Sequence, residues 1–207
     1  PPRREMFRAQ ASGGTVRRIR LFFPAQRRRR HATTAAVARA AGAKVKEYAL
    51  RSSGCNCLAR SSFPATKKVV MTDTPKTAGG TNAGAQPVEH LLAALVGCKQ
   101  ATSHFVARKL WPRHLKLERI DFDLTAWRDE RGALEMPITC TPQHPSRVQQ
   151  VSGTAVVHAP GCSYEDIRQL AEQVEQRCPV ANLFVAAGTR MDIKWVLAGD
   201  GRPADDV

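Results

Sequence analysis

Six cysteines, at positions 55, 57, 98, 140, 162 and 178, are the residues of this 207-residue chain best suited to chemistry. Sulfur can ligate a metal or, as thiolate, act as a nucleophile. Metal ligation fits the spacing poorly. The chain holds no Cys-x-x-Cys pair, and Cys55-Asn56-Cys57 has no second half-site of Cys or His at ligand spacing. His90 and His104 fall on nearly the same helix face, but their fourteen-residue spacing separates them by about 21 Å. No metal and no cofactor are expected. With no secretory signal apparent, the thiols are expected reduced, in a matrix or cytosol.

Two of these cysteines sit in strongly patterned segments. Pro87 opens the strongest helical pattern, running to about Leu110, with Glu89 at the positive end of the dipole and Trp111-Pro112 closing it. Val88, Leu91, Leu92, Leu95, Cys98, Thr102, Phe105 and Val106 form its apolar stripe. Ser163, with Asp166 three residues on, caps a second helix whose stripe is Ile167, Leu170, Ala171, Val174 and Cys178, and Pro179 ends that stripe. Cys98 and Cys178 thus also fit as ordinary core residues, and Glu89 as an ordinary helix-start residue.

The strands that must support these helices are less sharply marked. Lys44 to Leu50 and Cys55 to Arg60 read as a hairpin turning at Ser52-Ser53-Gly54, and Lys67 to Thr72 as a third strand. The segment from Asp73 to Gln86 is a loop, and its glycines lack the Gly-Lys-Ser/Thr that would cradle a phosphate. Leu115 to Leu124 alternates with charged residues, with a slip near Arg119, and Asp129 to Gly132 turns it. Val148 to His158 and Arg190 to Leu197 supply two more strands. The fold class is α+β, with antiparallel sheets packed on two helices, one of them long and central.

Charge divides the chain. Of a net +14, residues 1–46 carry eleven Arg and two Lys against Glu5 alone, and the remainder is nearly neutral. The expected organisation is an Arg-rich extension or mitochondrial targeting segment at 1–46, a domain at 47–198 and a polar tail at 199–207. Arg27, Arg28, Arg29 and Arg30 would repel one another unless they met an acidic polymer, of which RNA is the first choice. No stretch approaches ~18 uninterrupted apolar residues, so no transmembrane helix is expected.

The run Gly79-Gly80-Thr81-Asn82-Ala83-Gly84-Ala85-Gln86-Pro87-Val88-Glu89-His90-Leu91-Leu92-Ala93-Ala94-Leu95-Val96-Gly97-Cys98, followed by Arg177-Cys178-Pro179-Val180-Ala181-Asn182, resembles the OsmC/Ohr family over roughly residues 44 to 198. The resemblance implies an OsmC-like fold in which two chains intertwine, as a homodimer or with a paralogue. In the peroxidase branches a helix cysteine attacks an organic hydroperoxide and a second cysteine resolves the sulfenic acid. Cys98 matches the first and Cys178 the second. The family also supplies an arginine positioned by a glutamate; Glu89 matches the glutamate, and Arg60 or Arg51 stands for the arginine. Nine residues separate Glu89 from Cys98, where the dedicated peroxidases have ten. Nine steps are half a turn out of phase and span about 13 Å, so cooperation needs a helix irregularity or a second chain. That spacing resembles the broader OsmC-like branch.

Two functions follow as expectations. One is a mitochondrial matrix thiol-dependent hydroperoxide reductase, recycled by a dithiol. The other is a weakly active or inactive structural subunit of a large mitochondrial assembly, ribosomal or respiratory, anchored to rRNA or protein by residues 1–46.

Overall fold

A computed structural model of the chain describes residues 44–110 and 114–199. Arg27 to Arg30, with everything before residue 44 and after residue 199, lie outside the described residues. Contacts divide the chain between Tyr48 and Ala49, and the architecture below belongs to the second unit.

Strands β1 (Arg51–Cys55), β2 (Leu58–Phe63) and β3 (Lys68–Thr72) form one antiparallel sheet. The expected turn at Ser52-Ser53-Gly54 lies inside β1. The chain reverses instead at Asn56-Cys57, where Asn56 takes a left-handed conformation at φ 53° that its short polar side chain tolerates.

The loop that follows is built around one carboxylate. Asp73, fully buried, accepts the amides of Thr74, Thr81 and Ala83 at 2.8, 2.9 and 3.0 Å and the Thr81 hydroxyl at 2.6 Å. Gly80 is required there, since a Cβ at that position would stand 2.0 Å from the Thr74 carbonyl oxygen and 2.7 Å from Asp73 Oδ1. The loop delivers the chain to helix α1 (Pro87–Ala107). Pro87 occupies the first turn, and Glu89 accepts the Gln86 amide at 2.7 Å in a capping box.

The second sheet has the order β4 (Arg119–Arg128), β5 (Val148–His158), β6 (Arg190–Leu197). A short helix α2 (Arg131–Leu134) follows β4, and α3 (Tyr164–Arg177) and α4 (Pro179–Ala186) lie between β5 and β6. Wholly antiparallel sheets were expected. That holds for β1–β3 and for β4 with β5, but β5 and β6 run parallel because α3 and α4 carry the chain back before β6 enters. Residues 115–118 stay outside β4, and the register shift falls at Trp127/Arg128 rather than near Arg119. Ser163 caps α3 with the expected capping box. Pro179 ends the α3 stripe and also starts α4, an eight-residue helix absent from the sequence-based expectation.

Two apolar clusters hold these layers together. One joins Ile167, Leu170 and Val174 of α3 to Ala155, Val157 and Trp195 of the sheet. The other joins Leu95 of α1 to Val151, Cys178, Ala181 and Phe184. Each fully buried Leu or Ile contributes roughly 1.5–3 kcal/mol through removal from water.

Candidate thiol site

The buried line of α1 is Leu95, Lys99, Ser103, Val106 and Ala107. It differs from the stripe expected from apolar periodicity, since Val88, Leu91 and Phe105 are exposed and a lysine lies inside. Cys98 adjoins this line and is half-buried.

The two cysteines singled out by the sequence come together. Cys178 is fully buried at the junction of α3 and α4, and Cys98 packs against the same cluster. Both are free thiols packed within one apolar cluster. Cys178 is also the N-cap of α4, where its Sγ accepts the Ala181 amide at 3.5 Å. Burial raises the Cys178 thiol above its ordinary range; the Ala181 amide opposes the rise, the Cys98 thiol adds to it, and the charge of Lys99 lowers it.

Lys99 is the residue the sequence reading missed. Among the described residues it is the only buried lysine or arginine. Its ammonium pairs with Glu175 of α3 and stands 5.9 Å from the Trp195 ring centroid. Trp195 Nε1 donates to the same Glu175 oxygen at 3.2 Å. A lysine immediately after a cysteine in an otherwise apolar helix was the available signal, but its meaning depends on Glu175, far along the chain.

Glu89 and Arg60 are not brought to the thiols within this chain. Glu89 is exposed and occupied by the capping box at the start of α1. Arg60 is exposed on β2, opposite Ser53 and Met71, and among the described residues it enters no ion pair. Arg51 is likewise exposed, at the start of β1.

Beside the thiol cluster lies an apolar groove lined by Leu91, Val148, Leu183 and Phe184, with Arg147 at its edge. Val148 and Phe184 belong to the cluster that holds Cys178, so the groove and the thiols share walls. Arg147 Nη1 donates to the Gly188 carbonyl at 3.0 Å. Among the described residues no group of three or more His, Cys, Asp or Glu converges as a metal site, and no helix is long and apolar enough to cross a membrane.

A family model described as OsmC-like protein matches residues 80–194. No curated protein matches the chain. Among solved structures, an OsmC-like protein from Mycoplasma pneumoniae is 17% identical, covers 74% of this chain and 99% of its own, and superposes with a TM-score of 0.59. An OsmC-like protein of unknown function from Vibrio cholerae is 12% identical, with 73% and 100% covered and a TM-score of 0.57. An organic hydroperoxide resistance protein from Legionella pneumophila is 13% identical, with 74% and 98% covered and a TM-score of 0.51. Similarity at these identities concerns the fold.

Proposed function

This chain belongs to the OsmC-like protein family, and from that premise we propose that it is a thiol-dependent reductase of organic hydroperoxides, with Cys98 as nucleophile and Cys178 as resolver. The observation that carries the reading is the meeting of the two thiols. The Cys98 thiolate attacks the peroxide bond, taking one oxygen as sulfenic acid, while the departing alkoxide takes a proton and leaves as the alcohol. Cys178 then attacks the Cys98 sulfur, a disulfide forms and water leaves. A dithiol reductant returns both sulfurs to thiols and is itself oxidised to a disulfide.

The half-buried position of Cys98 suits the attacking role and the full burial of Cys178 suits the resolving one. The neighbouring apolar groove favours an organic hydroperoxide over hydrogen peroxide. Dimerisation belongs to the same reading: Leu91 and Phe105 are exposed on α1, Ala94, Gly97 and Ala101 lie exposed beside them, and a Cβ at Gly97 would meet no atom within 4 Å. A second copy's helix fits that face. Cumene hydroperoxide supplied with dithiothreitol tests the activity. Wild-type protein should consume it faster than hydrogen peroxide, Cys98→Ser should be inactive, and Cys178→Ser should complete one turnover and stall at sulfenic acid. Equal rates for wild type and Cys98→Ser would end the proposal.

The positions of Glu89 and Arg60 favour a second reading, in which turnover is weak and the chain serves as a structural subunit of a large mitochondrial assembly. On this reading residues 1–46 anchor it through Arg27 to Arg30, to RNA first, with binding that weakens steeply as salt rises. Deleting residues 1–46 should release the protein from the particle at matched salt while leaving thiol chemistry intact. Co-sedimentation of the truncated protein would exclude anchoring by the extension.

A further inference from the structure

The chemistry proposed for Cys98 and Cys178 needs one negative charge on sulfur, and the apolar packing around the pair opposes it. Val148 and Val151 of β5, Ala181 and Phe184 of α4, and Met191 of β6 are apolar, as is Leu124 of β4. Arg147, just before β5, borders the adjoining groove, but its guanidinium is held by the Val148 and Gly188 carbonyls. The buried cation beside the pair is Lys99 on α1, paired with Glu175 on α3.

Their placement follows the thiols. Lys99 succeeds Cys98 on α1, and Glu175 precedes Cys178 by three residues, so that it lies on the same side of α3 about 4.5 Å along the axis. Lys99 and Glu175 pair between α1 and α3, next to the cluster in which Cys98 of α1 and Cys178 at the end of α3 are packed. Stability alone gives little reason for a charge at position 99. Burying an ammonium costs several kcal/mol, and its partner Glu175 keeps a side chain 40% exposed, so that water competes for the carboxylate and weakens the compensation. A methionine has the length to fill this space.

We propose that Lys99, fixed by Glu175 and the Trp195 ring, is the positioning cation that allows the Cys98–Cys178 pair to carry one thiolate, in place of an arginine from the first sheet. This rests on the hydroperoxide-reductase reading for its purpose but concerns thiol ionisation alone. One proton leaves the pair for solvent past half-buried Cys98, and the remaining proton is shared between the two sulfurs. The Glu175 carboxylate holds the ammonium on the protein side of the pair and partly masks it. Trp195 fixes that carboxylate.

Alkylation by iodoacetamide tests this without any hydroperoxide. The rate at Cys98, read by mass spectrometry of its peptide across pH 5 to 10, should fall about tenfold at neutral pH in Lys99→Met, with the profile displaced upward by about one unit. Lys99→Arg should retain most of the wild-type rate. Glu175→Gln, which unmasks the ammonium and leaves a neutral acceptor for Trp195, should displace the profile the other way. Far-ultraviolet circular dichroism and Trp195 fluorescence establish that each variant is folded. A wild-type profile in folded Lys99→Met, or, should that variant not fold, an unmoved or upward-displaced profile in Glu175→Gln, overturns the proposal. A displaced profile in a protein with no hydroperoxide turnover leaves the role of Lys99 standing and removes the reductase reading instead.

Discussion

Asp73 and Thr81 are joined twice, through the Thr81 amide at 2.9 Å and its hydroxyl at 2.6 Å, both onto Asp73 Oδ2. With the amides of Thr74 and Ala83 this makes a carboxylate with four donors at the centre of the loop leading into α1. The Thr81 hydroxyl, followed by the Ala83 amide, is the main cause of an Asp73 carboxyl held well below its ordinary value of 3.8. A carboxyl depressed on folding stabilises the folded chain fully above that value, and the contribution is lost as pH falls through the folded-state value. Asp73→Asn should therefore lower the urea midpoint at pH 7 and reduce the gap between wild type and variant as pH falls below about 4. The amide it introduces points hydrogens at existing donors, so the loop cannot simply reclose. Parallel midpoints at pH 7 and pH 3 would contradict this account.

Native thiol labelling should distinguish the cysteines of the pair. Cys178 has no exposed surface, and burial raises its thiol, whereas Cys98 is half-buried. At neutral pH Cys98 should be modified at least tenfold faster than Cys178, and denaturant should erase the difference. Peptide-resolved mass spectrometry after brief alkylation measures the ratio.

Glu89 serves the fold in this chain. Glu89→Ala removes the acceptor for the Gln86 amide and should cost about 0.5–1 kcal/mol in chemical denaturation. It should leave the alkylation rate of Cys98 within about twofold of wild type. Ser163→Ala, at the matching cap of α3, should cost about 1 kcal/mol. A large change in Cys98 reactivity with Glu89→Ala would place the glutamate in the thiol chemistry after all.

Gly80→Ala should be more damaging than either cap change, by about 1–3 kcal/mol, because its methyl group would collide with the Thr74 carbonyl and the Asp73 carboxylate. Calorimetry or urea denaturation checks the order of the three variants.

What the sequence revealed was local. Pro87 with Glu89 and Ser163 with Asp166 marked helix starts correctly, because a cap is decided within four residues. The turn between β1 and β2 was misplaced since every β1 residue is exposed, leaving no alternation to compete with the turn-like Ser52-Ser53-Gly54. Pro179 looks like a stop in the sequence, although the same ring that ends α3 is suited to begin α4. The parallel pairing of β6 with β5 and the burial of Lys99 depend on partners distant in the chain. Val151 meets Met191, and Lys99 meets Glu175, only after the intervening elements have folded. The packing of Cys98 and Cys178 into one cluster is equally non-local, and no local pattern encodes it.

That distance has a consequence during synthesis. Cys98 emerges eighty residues before Cys178, and at about 5–20 residues per second the delay is roughly 4–16 s. For that interval the nascent chain exposes an unpartnered thiol, without α3, α4 or β6 to cover it. An oxidant meeting the chain then finds Cys98 without its folded-state neighbour Cys178, and a sulfenic acid formed there can only be captured by a chance encounter with one of the other cysteines. The newborn chain is therefore most open to oxidation at Cys98 before the packing that half-buries this thiol exists.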